Sequence, residues 1–295
     1  MNGLHPNTEA GLPGERYFQG EPHLALAPYI HSYAVVEVPD SGQINPFGRM
    51  VPDGIIKLVF HFGDQFLQNT PEGPELQERS FLHGHLPSYL EIAPSGCVGL
   101  ISVNFYAHGL AAFTKVPLHE LGEQRITPED LWGQEGRELQ ARVCGADTHT
   151  ERYKVINAFF VTQLQNKLTN VSLMGLATQW VWQQQGQISV KAMAQVFGKS
   201  SRTLERYFAT HLGVTPKYLA RIFRIHQLIH RYQQQPNLSL MDLTHLGGYF
   251  DQSHFYGDFQ RLTGVSPKVV LNRKATSKVL FLNQSLADRM VQQPH

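Results

Sequence analysis

The sequence predicts an α+β fold in two parts. An N-terminal β-rich barrel or sandwich with trailing helices comes first, then a C-terminal all-α domain made of a repeated two-helix unit joined by a linker helix. Three observations carry this reading. Over roughly the first 110 residues, short apolar runs of period two alternate with turn chemistry. From about residue 116 the apolar period lengthens to that of a helix. Near the C-terminus the chain overlays itself at a shift of 51 residues, placing Ser200 on Asp251.

The strands come in order. "HSYAVVEV" (His31–Val38) is rich in β-branched and aromatic residues. "IIKLVFHF" (Ile55–Phe62) sorts Ile56, Leu58, Phe60 and Phe62 to one face and Ile55, Lys57, Val59 and His61 to the other. "VGLISVNFY" (Val98–Tyr106) is built alike, and "VPDG", "NTPEGPE" and "APSG" supply turns. An interior formed by such strands can hold a small ligand.

Helices follow. "TPEDLWGQEGRELQARV" offers Thr127 as an N-cap and Pro128 at the first helical position. "ERYKVINAFFVTQLQNKL" (Glu151–Leu168) spaces Val155, Phe159, Val161 and Leu164 as a helical stripe, and "SLMGLATQWVWQQQ" (Ser172–Gln185) reads as another helix. The "QQQGQ" run then suggests a boundary. The predicted division is 1–184 for the β-rich part, 185–275 for the all-α domain and 276–295 for a C-terminal tail.

The repeat defines the second domain. "SSRTLERYFATHLGVTPKYL" (Ser200–Leu219) lies over "DQSHFYGDFQRLTGVSPKVV" (Asp251–Val270). Leu204 matches Phe255, Phe208 matches Phe259 and Gly213 matches Gly264; Thr215, Pro216 and Lys217 match Ser266, Pro267 and Lys268. Each copy is a capped helix stopped by glycine, with a new helix beginning at Thr/Ser-Pro-Lys. A short helix and a Gly-containing turn precede each copy, "SVKAMAQVFGKS" and "SLMDLTHLGGYFD", where Ser239 and Asp242 fit a capping box. Each unit is thus a helix-turn-helix, whose second helix is the one able to enter a DNA major groove. The connecting helix buries Leu219, Ile222, Phe223, Leu228, Ile229 and Tyr232 and holds the two units in fixed relation. To read one face of a duplex they must sit about one helical turn, ~34 Å, apart.

Charge agrees with a polyanionic partner. The chain of 295 residues carries a net charge of +1. Up to residue 184 there are 11 Lys+Arg against 19 Asp+Glu, a balance of −8; beyond it there are 14 against 5, a balance of +9. The two cysteines, Cys97 and Cys144, make neither a disulfide framework nor a paired-Cys metal motif. No signal-peptide pattern and no apolar run of membrane-spanning length is present, so a soluble, cytoplasmic protein that does not engage the membrane is expected.

On these residues, the stretch 188–274 resembles the DNA-binding domain of the AraC/XylS family of bacterial transcription regulators. The second unit carries that family's pattern: Gly-aromatic, Asp, Ser-x-Phe, Phe and Gly-x-Ser/Thr-Pro. "RMVPDGIIKLVFHFGD", "APSG" and "VPLHELGEQRITPEDLWG" are similar to a sensor-type domain found in some members. The resemblance implies a non-enzymatic transcription regulator without a cofactor. Its expected partners are double-stranded promoter DNA, a small-molecule effector and a second copy of the chain as a homodimer, with RNA polymerase as a further candidate.

Periodicity leaves Ser201, Arg202, Glu205 and Arg206 on the open face of the first recognition helix, and Gln252, Ser253, His254 and Tyr256 on that of the second. Arg can bond guanine bidentately, Gln adenine, and Glu can accept from cytosine. The resemblance implies base contacts at Arg202, Glu205 and Arg206, and at Gln252, Ser253, Tyr256 and position 257. There the family commonly has Arg where this chain has Gly257. Lys199, Lys217, Arg221 and Lys268 are the expected phosphate contacts, Lys217 and Lys268 in first turns where free N–H groups favour an anion.

Two features suggest other chemistry. "HGHLPSYLE" is similar to the His-x-His…Glu ligands of a cupin-type metal barrel, with alternation placing His83 and His85 on one strand face. That gives the alternative reading, a metal-binding enzyme or sensor whose helical domain no longer reads DNA specifically. Cys97 in "PSGCVG" lacks basic neighbours and is expected to be a small buried residue at a strand start.

Overall fold

The computed structural model describes residues 5–6, 15–39, 47–121, 125–165, 172–270 and 280–281. Among the described residues eleven strands form two sheets: β1 (His5–Pro6), β2 (Arg16–Gly20), β3 (Ile30–Val38), β4 (Gly48–Met50), β5 (Ile56–His61), β6 (Phe66–Thr70), β7 (Gly73–Leu76), β8 (Ser80–His83), β9 (Leu90–Pro94), β10 (Val98–Phe105) and β11 (Leu280–Phe281). One sheet runs β1-β2-β3-β10-β5-β8, the other β11-β4-β9-β6-β7. Every ladder is antiparallel except that of β11 with β4. Apart from β11, the expected tail 276–295 lies outside the described residues.

Strand alternation sets what each face of the larger sheet holds. Tyr33, Val35, Leu58, Phe60, Ile101, Val103 and Phe105 turn to one side, where Ile156 and Phe160 close the core. The opposite side faces the second sheet, with Val36 and Leu100 packed near Phe66 and Ile92. It is partly polar. Register aligns Ser32, Asn104, Lys57 and His83 across four adjacent strands. Asn104 Nδ2 donates to Ser32 Oγ at 3.1 Å, and Ser102 Oγ to Asn104 Oδ1 at 3.0 Å, so these buried groups are satisfied.

The helices are α1 (Pro128–Trp132), α2 (Gln134–Gly145), α3 (His149–Gln165), α4 (Ser172–Gln183), α5 (Val190–Val196), α6 (Ser201–Leu212), α7 (Pro216–Gln234), α8 (Leu240–Leu246), α9 (Gln252–Thr263) and α10 (Pro267–Val270). Thr127 caps α1 in a full capping box with Asp130. Gly133, at φ +59, then breaks what the sequence reads as one helix into α1 and α2. In α3 the deepest side chains are Arg152, Ile156 and Phe160, one helical turn apart, while the expected stripe of Val155, Phe159, Val161 and Leu164 flanks them half-buried. The buried side of α4 (Met174, Ala177, Val181, Trp182) shares one core with α5 through α9, on the far side of the expected boundary at 184/185.

Desolvation of four imidazoles makes this fold acid-sensitive: His61 and His108 are buried, and His83 and His85 are half-buried. Desolvation lowers His61, His83, His85 and His108 each to about 4. The folded state binds these protons less readily than the unfolded chain, so stability is complete above about pH 6.5 and falls as pH drops towards 4. Each ring contributes at most on the order of 3 kcal/mol to that loss. Urea midpoints taken from about pH 7.5 down to about pH 5 should fall steadily; a flat midpoint over that interval would contradict the desolvation of these rings.

Candidate nucleic-acid interface

The two units are built from the same local signals. In the first, Ser189 caps α5 by accepting the Ala192 N–H at 3.0 Å, and Gly198 (φ +60) makes the turn. Ser200 Oγ accepts the Thr203 N–H at 3.1 Å, and α6 ends at Gly213 in the left-handed conformation. In the second, Ser239 and Asp242 form the capping box of α8, Gly248 (φ +63) makes the turn, Asp251 accepts the His254 N–H at 2.8 Å, and α9 ends at left-handed Gly264. Each such cap is worth about 1 kcal/mol. Leu204, Phe208 and Leu212 bury one face of α6; Phe255, Phe259 and Leu262 bury that of α9.

The opposite faces are open. Ser201, Arg202, Glu205 and Arg206 are all exposed, and the Arg206 guanidinium lies 5.6 Å over the neighbouring Tyr207 ring. Gln252, Ser253 and His254 are exposed as well, His254 with its ring 5.1 Å from that of Tyr249. Tyr256 is half-buried, its ring 6.2 Å from Phe255, so core packing takes part of its surface. A Cβ at Gly257 would have nothing within 4 Å, so packing does not require glycine there. Asp258 is half-buried rather than displayed; with burial as the larger cause, its charge helps push the Tyr249 phenol up. Lys199, Lys217 and Lys268 are exposed, whereas Arg221 is half-buried with its guanidinium 5.8 Å over Tyr218.

Helix α7 joins the units and also meets the β-rich domain. Leu219, Ile222, Phe223, Leu228 and Ile229 are buried as the sequence predicts, with Tyr232 packed at the edge. Gly54, at φ +77, lets the strand-entry loop come so close that a Cβ there would sit 2.9 Å from the Phe223 ring. His226 Nε2 donates to the Pro52 carbonyl at 2.7 Å, Tyr218 donates its hydroxyl to the Leu86 carbonyl, and the His85 ring lies edge-on 6.1 Å from Tyr218. Asp53 is fully buried beside these groups: Lys57 Nζ reaches it at 2.5 Å, the Ile55 N–H donates to it at 3.0 Å, and the Lys57 charge holds its carboxyl down against the desolvation that would raise it. A cavity of about 10 Å³, room for roughly one water, lies among Asp53, Lys57, His83 and His85.

Two expectations are corrected here. Strand β8 ends at His83, so alternation does not extend to His85, which turns out of the sheet towards α7 instead of sharing a face with His83. Among the described residues no group of three or more His, Cys, Asp or Glu side chains could hold a metal ion. Cys97 is exposed, not buried: it sits in the tight turn before β10, where its carbonyl accepts the Asp64 N–H at 2.9 Å and the side chain points out. The sequence reading also missed Asp53, His226 and Tyr218, whose significance comes from contacts across the two domains.

Residues 193–273 match the family described as "Helix-turn-helix domain", and residues 19–127 match the "Domain of unknown function (DUF6597)". The first match spans both units and bears out the AraC-type reading of this part of the chain. No curated protein matches. Among solved structures, ToxT from Vibrio cholerae aligns at 10% identity over 81% of this chain and 97% of its own, with a TM-score of 0.44. A ToxT structure from strain SCE256 described as bound to an unsaturated fatty acid aligns at 12% identity over 85% and 96%, with a TM-score of 0.41. The AraC-like transcriptional activator CuxR aligns at 12% identity over 78% and 80%, with a TM-score of 0.23. Among the described residues no helix is long and apolar enough to cross a membrane.

Substitutions at the open faces separate the expected roles. Arg206→Ala should weaken specific binding by ~1–3 kcal/mol and relax one base position, while Lys217→Ala should weaken binding to all sequences and flatten the salt slope. Gly257→Arg should raise affinity without loss of stability, because the site is empty and glycine disfavours a helix by ~1 kcal/mol relative to alanine. Titrations across salt concentration read all three; unchanged affinity in the two truncations would remove these residues from the interface.

Proposed function

We propose that this protein is a sequence-specific, DNA-binding transcription regulator whose β-rich domain responds to a small molecule. The observation that carries the reading is the pair of repeat-related helices, α6 and α9, each capped, each buried on one side, and each with polar residues on the other. The N-terminal residues of such helices are the ones that meet base edges, and the +9 balance of residues 185–295 suits a polyanion. Arg202, Glu205 and Arg206 read bases in the first half-site, and Gln252 with Ser253 and His254 in the second. Lys199, Lys217 and Lys268 neutralise phosphates.

Effector control is the finer part of the proposal. The cavity beside Asp53 and Lys57 has space for about one water, and its walls are the same loops that hold Tyr218 and His226 of α7. An effector larger than water enters only if those loops shift, so its binding and the seating of α7 are linked, and the coupling acts in both directions. A homodimer would double the half-sites read, and RNA polymerase would be the downstream partner.

The test is selection of duplexes from a random pool by the full chain, followed by titration at several salt concentrations. The reading expects one enriched sequence, and log affinity falling linearly with log salt at a slope of about −0.9 per phosphate contact. Absence of enrichment, together with affinity indifferent to salt, would overturn it.

A further inference from the structure

Phe250 has the most exposed large apolar side chain among the described residues, at 93%. It precedes Asp251, the cap of α9, and its neighbour Tyr249 is buried against Phe255, so the chain turns one aromatic in and the next out. The 51-residue repeat puts Phe250 where the first unit has exposed Lys199. Met241, half-exposed on α8, lies on the same edge: Gln252 Nε2 approaches Met241 Sδ at 3.8 Å.

The two units differ in charge along this edge. Ser189–Ala209 carries Lys191, Lys199, Arg202 and Arg206; the matching stretch Leu240–Gln260 carries no Lys or Arg. With Gly257 in the place of Arg206, the second unit has no cation for guanine or phosphate along its leading edge. What it presents, beside Ser253 and His254, is an aromatic ring, a thioether and an amide. In a major groove an apolar side chain recognises the thymine methyl, and an amide pairs bidentately with adenine N6 and N7.

We propose that the second unit reads an A·T half-site, with the Phe250 ring packed on a thymine 5-methyl group and the Gln252 amide on an adenine. This rests on the DNA-binding reading above and names the base class its second unit takes. Both residues sit at the end of α9 that enters a groove first. Phe250 is a specificity residue here; its ring lies outside the core, so replacing it leaves folding intact.

The experiment is a chemical double-mutant cycle on the full chain. Its probe is the duplex enriched from the random pool, synthesised with thymine or with uracil, which lacks the methyl, at each A·T pair of the second half-site. Uracil at one position should lower wild-type affinity about fourfold, the value of one lost methyl contact. Phe250→Ala should lose about tenfold on the thymine duplex and be indifferent to uracil at that position. Phe250→Lys should be equally indifferent, with a steeper salt slope. If Phe250→Ala binds as wild type, or loses affinity equally on both duplexes, the thymine contact is overturned. Unchanged DNA binding with lost transcription would overturn it in favour of a protein partner. If no duplex is enriched, the DNA-binding reading fails and takes this one with it.

Discussion

A helix buried on both flanks cannot turn without exposing apolar surface on each, and α7 is held in this way. Ile222, Ile225, Leu228 and Ile229 lie in the core shared by the two helix-turn-helix units, while Leu219 and Phe223 close on Gly54 of the β-rich domain. At about 25 cal/mol per Å² of apolar surface, rotating such a helix costs several kcal/mol, more than any exposed ion pair contributes. The polar bonds along it, His226 to the Pro52 carbonyl and Tyr218 to the Leu86 carbonyl, fix its register rather than supply its stability. Because both recognition helices pack on α7, their mutual spacing follows from its position.

The β-rich domain also meets both units at equivalent points. Gly213 ends α6 against the backbone of Leu118, and Gly264 ends α9 against the ring of Tyr89. Both glycines are left-handed, and a side chain at either would collide with the neighbouring domain. The N-terminal ends of the same helices, bearing Arg202 and Gln252, remain exposed. Contacts made at the rear of each helix thus leave its N-terminal end free.

The helical half of the chain was legible because its signals are local. Caps, glycine stops and the i,i+4 apolar pairs are short-range patterns, and the repeat doubled each of them at Ser200 and Asp251, Gly213 and Gly264. The main strands were legible from alternation, with β3, β5 and β10 found within a residue of their expected limits. What escaped depends on distant partners or on one turn. Alternation in the sequence continues to His85, although strand β8 stops at His83. Cys97, expected inside from its strand-start position, is turned out by a tight turn. The polarity of Asp53 and Lys57 says nothing by itself; it acquires a role only where the fold seals the pair beside His226. The deep stripe of α3 was missed because Arg152, buried among apolar residues, reads as a surface charge.

Helix α7 holds α6 and α9 in fixed relation, and the proposed function makes them a pair of readers along one side of a duplex. Hydroxyl-radical footprinting of the full chain on its selected duplex tests this most directly. Two protected segments on one face are expected, centred about ten base pairs apart, with the first protected more strongly if Arg202 and Arg206 belong to it. A single protected segment, or two on opposite faces of the helix, would contradict it.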